Sequence, residues 1–154
     1  VVGNFNGTLN FGNTAMSAAG NGDIFLAKLD PTGNALWSHH FGDATSNSIG
    51  YTQEISADGA GASVITGALA GNADFGGGTL QGGQSGDIYP FIAKFNGAGT
   101  YAWAYAGNSL GSAAAVATDT ATHVGVAGQF SASESFAGAS LTQPTSAFVM
   151  KLTP

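Results

Sequence analysis

All three basic residues of this 154-residue chain are lysines, and all three stand at the same place in one short pattern. It runs Phe25-Leu26-Ala27-Lys28-Leu29, then Phe91-Ile92-Ala93-Lys94-Phe95, then Phe148-Val149-Met150-Lys151-Leu152. A chain whose every cation falls in register is a tandem repeat, and a repeat constrains architecture before any single residue does. Glycine supplies a second ruler. Gly3, Gly67 and Gly128 each close an apolar stretch, and Phe11, Phe75 and Phe136 follow them at a spacing of eight. Met16, Leu80 and Leu141 follow the same glycines at thirteen. The glycines lie 64 and 61 residues apart, so the unit is just over sixty residues long.

Turn chemistry divides the unit into strands. In Asp30-Pro31-Thr32-Gly33-Asn34 the proline fixes φ early in the turn and the glycine takes the left-handed position that completes a bulged hairpin. Residues 25–29 are therefore expected to pair with 35–41. Asn96-Gly97-Ala98-Gly99 does the same between 91–95 and 101–106. A further strand precedes each later glycine: Ile55–Asp58 leads through Gly59-Ala60-Gly61 into Val64–Gly67, and Val116–Asp119 through Thr120-Ala121-Thr122 into Val124–Gly128. By propensity alone, Ser112 to Ala117 would be a helix. Its counterpart Ile55-Ser56-Ala57-Asp58 opens a hairpin, so the repeat makes it a strand. Four strands result per full unit, with a loop carrying Phe75 and Leu80 between the middle two. Phe25, Ala27 and Leu29 fall on one face of their strand, and Ile24, Leu26 and the stem of Lys28 on the other. Two apolar faces predict a sheet packed between two others.

With a glycine-terminated strand before it and Phe41-Gly42 after it, the run Gly22-Asp23-Ile24-Phe25-Leu26-Ala27-Lys28-Leu29-Asp30-Pro31-Thr32-Gly33-Asn34-Ala35-Leu36-Trp37 resembles the SBBP-type β-propeller repeat of exported and surface bacterial proteins. The likeness covers nearly the whole chain. It implies a propeller fold but no single activity, and it brings no catalytic residues. Tyr89-Pro90 departs from the pattern as an insertion, Met150 replaces an alanine, and Thr145-Ser146 stands where Gly22-Asp23 and Gly86-Asp87 stand in the other copies.

The expected fold is all-β: propeller-type repeats of four-stranded antiparallel blades in a single domain over 1–154, divided at 1–42, 43–107 and 108–154. The first copy lacks the opening strand and the last lacks the tryptophan strand, which leaves about two and a half blades. Such a set cannot close a ring alone, and its open faces and edges invite association. Three outcomes stay open: part of a larger propeller, an oligomer that completes a ring or stacks into a filament, and an open stack with capped ends. The start at Val1-Val2-Gly3, without Met, reads as mid-repeat in a mature product or an excerpt.

Charge excludes several classes of partner. The formal net charge is −6 and no basic patch exists to neutralise phosphates, so neither nucleic acid nor an anionic membrane is an expected partner. No apolar run is long enough to span a bilayer. Cysteine is absent, which removes disulfide and thiolate chemistry. Low charge with abundant Gly, Ser, Thr and Asn points to an exported bacterial protein, extracellular or on the cell surface.

Candidate chemistry is sparse. His39 and His40 are adjacent in a strand, point to opposite faces, and so cannot chelate one metal together. His123 sits in a solvated turn. Asp23 and Asp87 each follow a glycine at the mouth of a loop, which makes them the ligand-binding candidates; turn capping is the competing role. No calcium-loop spacing surrounds them. Gly76-Gly77-Gly78 and Gly82-Gly83 lack the Gly-Lys-Ser/Thr of a phosphate loop. Glu54 and Glu134 belong to different repeats in unlike surroundings, which is no basis for a catalytic carboxylate pair. Trp37 and Trp103 are equivalent core positions, with carbohydrate stacking as their alternative. Lys28, Lys94, Lys151, Trp37, Trp103, Phe11, Phe75 and Phe136 are thus expected to be architectural, each lysine stem packing between blades with its ammonium near carbonyls or a carboxylate.

The resulting expectation is a non-enzymatic extracellular module, a scaffold, surface or filament component, with no cofactor and no metal. Its partners would be protein, either itself or the remaining blades of a longer chain. A lectin-like propeller binding neutral glycans through its loops is the alternative.

Overall fold

The computed structural model describes residues 1–12, 15–44, 50–120, 123–142 and 146–152, and over them the chain is all-β. In chain order the strands are β1 (Val2–Phe5), β2 (Thr8–Asn10), β3 (Ala15–Ser17), β4 (Asp23–Leu29), β5 (Ala35–Phe41), β6 (Gly50–Ala57), β7 (Ser63–Leu69) and β8 (Asn72–Asp74). They continue as β9 (Thr79–Gln81), β10 (Tyr89–Phe95), β11 (Tyr101–Ala106), β12 (Gly111–Thr118), β13 (Val124–Phe130), β14 (Glu134–Phe136), β15 (Ala139–Leu141) and β16 (Ser146–Leu152). Three open antiparallel sheets form the body, ordered β1-β4-β5, β11-β10-β7-β6 and β12-β13-β16. The alanine-rich run that propensity alone would coil is strand β12, paired with β13.

Two details differ from the sequence expectation. The segment carrying Phe75 and Leu80 is not a plain loop but the hairpin β8-β9, and β2-β3 and β14-β15 are its counterparts. Strands of three residues carry too little pattern to read from sequence. The Tyr89-Pro90 insertion supplies the first two residues of β10, pairing with Leu69 and Ala68, and leaves the strand at the same seven residues as β4 and β16. Thr145 and the Ala121-Thr122 turn lie outside the described residues.

One device builds the turns of the main sheets. Asp30 Oδ1 accepts the backbone N–H of Thr32 at 2.8 Å and of Asn34 at 2.9 Å. Asp58 Oδ1 accepts those of Ala60 and Ala62, and Asn96 Oδ1 those of Ala98 and Thr100, all at 3.0 Å. Asp119 Oδ1 takes the N–H of His123 at 2.9 Å. In the first three turns the fourth residue is glycine, with φ of 90°, 77° and 82° at Gly33, Gly61 and Gly99, where a Cβ would be strained. Asp74 repeats the arrangement in the β8-β9 hairpin, accepting from Gly76 and Gly78.

The glycine ruler has an equally specific cause. Gly3, Gly67 and Gly128 stand directly across from Phe25, Phe91 and Phe148 in the ladder. A Cβ on any of the three would lie 2.7 Å from an atom of that ring, so the ring occupies the space a side chain would need. Phe11, Phe75 and Phe136, from the small hairpins, then pack on the same rings with centroids 5.4, 5.3 and 5.6 Å apart.

The three sheets stack face to face with the four-stranded one in the middle. Ile65, Leu69, Phe91, Ala93 and Phe95 of the middle sheet meet Ile24, Leu26 and Phe41 of the first. Val64 and Ile92, on its other face, meet Val116, Val124, Val126 and Phe148 of the third. Every residue of β7 is buried, as is all of β10 except its first residue. Each large apolar side chain buried this completely contributes about 1.5–3 kcal/mol, so the middle sheet anchors the molecule.

Candidate functional site

The sequence candidates do not converge. Asp23 opens β4 and is 1% exposed. Both its carboxylate oxygens accept the N–H of Ala19 at 3.2 Å, and Oδ2 lies 2.7 Å from His40 Nδ1. Gly42 has no Cβ, and the carboxylate fills the room this leaves. Asp87 is exposed in the turn ahead of β10, its N–H bonded to the carbonyl of Gln84. The Tyr89-Pro90 insertion puts it outside the strand, so it is not the structural equivalent of Asp23. One carboxylate braces a loop from within, and the other faces solvent elsewhere.

The histidines separate in the same way. His39 points toward the middle sheet in a row with Trp37 and Phe41, ring centroids 5.4 and 6.3 Å away. His40 lies on the opposite face beside Phe5 and Asp23. His123 is not merely solvated: its Nδ1 stands 2.7 Å from Asp119 Oδ2. Among the described residues, no group of three or more His, Cys, Asp or Glu side chains is placed to hold a metal ion.

Lysine and tryptophan act at the joints between sheets. Lys28 Nζ crosses to the turns of the middle sheet, where it donates to the carbonyls of Gly97 at 3.1 Å and Gly61 at 3.4 Å. Trp37, opposite Lys28 in the ladder, donates its Nε1–H to the same Gly97 carbonyl at 3.3 Å. Trp103 is opposite Lys94 and packs into the second joint. Lys94 is 9% exposed, whereas Lys151 is exposed on the outer face of the third sheet.

Glu134 was hidden at the sequence level because it has no partner in the repeat. It is 3% exposed and takes the N–H of Asn108 at 2.5 Å, the N–H of Ser109 at 3.1 Å and the Ser109 hydroxyl at 2.7 Å. The carboxylate thereby ties the β11–β12 connection to hairpin β14-β15. Its signal was Gly107, which, like Gly42, follows the tryptophan strand and would clash with the acid if it carried a Cβ.

A groove of mixed chemistry lies between β5 and the turns of the middle sheet. It measures about 650 Å³ and presents His39, Asp74, Thr100 and Tyr101. The Tyr101 ring lies along Gly76 and Gly77, which explains these two glycines as clearance for an aromatic ring, while Gly78 meets nothing within 4 Å and has a φ of 102°. An imidazole, a hydroxyl and aromatic edges suit a neutral, hydroxyl-rich ligand better than an anion, since the formal charge is −6 overall. The chain matches no protein-family model and no curated protein.

Proposed function

We propose that the chain is a non-enzymatic structural or interaction module of the bacterial exterior, built of propeller-type blades and working as a scaffold, surface or filament component. The observation that supports this reading is the use made of the charged side chains. Lys28 joins two sheets, Asp30, Asp58, Asp74 and Asp119 hold turns, and Asp23 and Glu134 hold loop backbone from buried positions. General acid–base chemistry needs groups converging on a substrate; these are dispersed and held by the fold's own backbone. The likeness of the lysine strand to SBBP-type repeats supports both the blade architecture and the exterior location.

Light scattering across a concentration series tests the self-associating form of this function. The expected result is an assembly of several 15.2 kDa chains. A monomer at every concentration overturns it.

The groove at His39, Asp74 and Tyr101 favours a second reading, a lectin-like module for neutral glycans. A glycan array probed with assembled protein decides between them. Saturable binding that Tyr101→Ala removes establishes the lectin reading, and an array without hits rejects it.

A further inference from the structure

One aromatic pair is sealed in two units and left part-exposed in the remaining one. Phe75 with Phe91, and Phe136 with Phe148, are buried, whereas Phe11 and Phe25 keep partial exposure. The cover over Phe75 and Phe91 is the forward face of the preceding sheet, through Ile24, Leu26 and Phe41. Over Phe136 and Phe148 it is Val64 and Ile92 of the middle sheet. Among the described residues no sheet lies in front of Phe11 and Phe25. At the other end, nothing among the described residues lies against the forward face of the third sheet: Val149 is 84% exposed and Lys151 is exposed. In the repeat register these two residues are the counterparts of Leu26 and Lys28. Together with Ala117 and Gly125 they line a shallow groove of about 530 Å³.

We propose that copies of this chain associate head to tail, the forward face of the third sheet in one copy seating on the Phe11–Phe25 face of the first sheet in the next. This deepens the structural reading above and rests on it. The joint is one the chain already forms twice within itself. Val149 takes the part of Leu26, and the small residues Ala117 and Gly125 leave depth for the aromatic rings opposite. Lys151 Nζ donates to the carbonyl of Pro31 in the next copy, which stands to Lys28 as Gly97 stands to Lys94; the neighbouring Asp30 adds opposite charge. Such a contact is heterologous: each copy offers one face of each kind, so the assembly grows until it closes or forms a filament.

Two substitutions on opposite faces test the geometry by light scattering, alone and mixed. Val149→Asp blocks the forward face at a solvent-exposed position, and Leu29→Asp blocks the first-sheet face. Leu29→Ser serves as a milder second variant, with circular dichroism checking that each is folded. Wild type is expected to exceed 15.2 kDa. Each aspartate variant alone should be monomeric, and their equimolar mixture should give a heterodimer of twice the chain mass, because each retains the face the other lacks. Variants that assemble like wild type, or a mixture that stays monomeric, overturn the assignment of faces. A wild-type chain that never exceeds its own mass overturns the self-association reading itself, so the two failures are told apart.

Discussion

Single residues in this protein are repeated because a neighbour occupies the space or takes the bond. Gly67 is the clearest case. A Cβ there would collide with the Tyr51 carbonyl and stand 2.7 Å from the buried Phe91 ring. Gly67→Ala should therefore destabilise the fold by about 1–3 kcal/mol, the usual cost of overpacking, as read by urea denaturation. Gly3→Ala meets only the Phe25 ring, which is part-exposed and able to shift, so its cost should be smaller. Gly59→Ala meets nothing within 4 Å at a φ open to alanine and should be close to neutral. Equal losses at all three sites would remove the ring-clearance explanation. Lys28 follows the same logic, since a lysine that donates to two carbonyls of the next sheet is fixed in register by that sheet.

At the scale of the element, a hairpin turn with a side-chain acceptor at its head recurs whether the head residue is Asp or Asn. Asp30 shows what the charge adds. Its carboxyl is lowered to about 2, first by the hydroxyl of Thr32 and next by the backbone N–H of Asn34. An unfolded aspartate titrates near about 3.9. The folded value is the lower one, so the stabilisation is complete above about pH 4 and is lost as pH falls toward about 2. Asn96 builds the equivalent turn without a charge. Asp30→Asn should accordingly keep the hairpin but flatten the dependence of stability on pH between about 4 and 2, measured by denaturation at stepped pH. Parallel profiles for the two proteins would show that the Asp30 charge does not contribute. The equivalence of these turns was legible in the sequence, because an Asx head and a glycine at its fourth position are local signals. The three-residue hairpins were not, because what holds them is the packing of Phe11, Phe75 and Phe136 on rings from distant strands.

For the whole molecule, stability is concentrated in the sheet that has neighbours on both sides. In the unassociated Val149→Asp variant, amides of Ser63–Leu69 and Phe91–Phe95 should exchange with solvent most slowly, and those of Ser146–Leu152, on the open third sheet, markedly faster. Native-state hydrogen exchange by mass spectrometry measures this directly. Uniform protection across the three sheets of that variant would overturn the placing of stability in the middle sheet. Assembled wild type should protect Ser146–Leu152 more than the variant does, and equal exchange in the two would count against the head-to-tail contact.

The sequence by itself determined the strands of the three main sheets, their repeat and the two apolar faces of the lysine strand, because period, turn residues and glycine spacing are written locally. It also placed His39 and His40 on opposite faces, since alternation along a strand leaves no choice. Only the tertiary structure decided where the polar groups go. Asp23 looked open to a ligand at a loop mouth, yet its carboxylate is enclosed by Gly42, His40 and the Ala19 N–H. Glu134 looked incidental, yet it fastens a connection between sheets. A carboxylate's role depends on which backbone N–H groups surround it in space; for Glu134 those come from residues 25 and 26 positions away, and for Asp23 from a loop folded back on itself, and no sequence period records either.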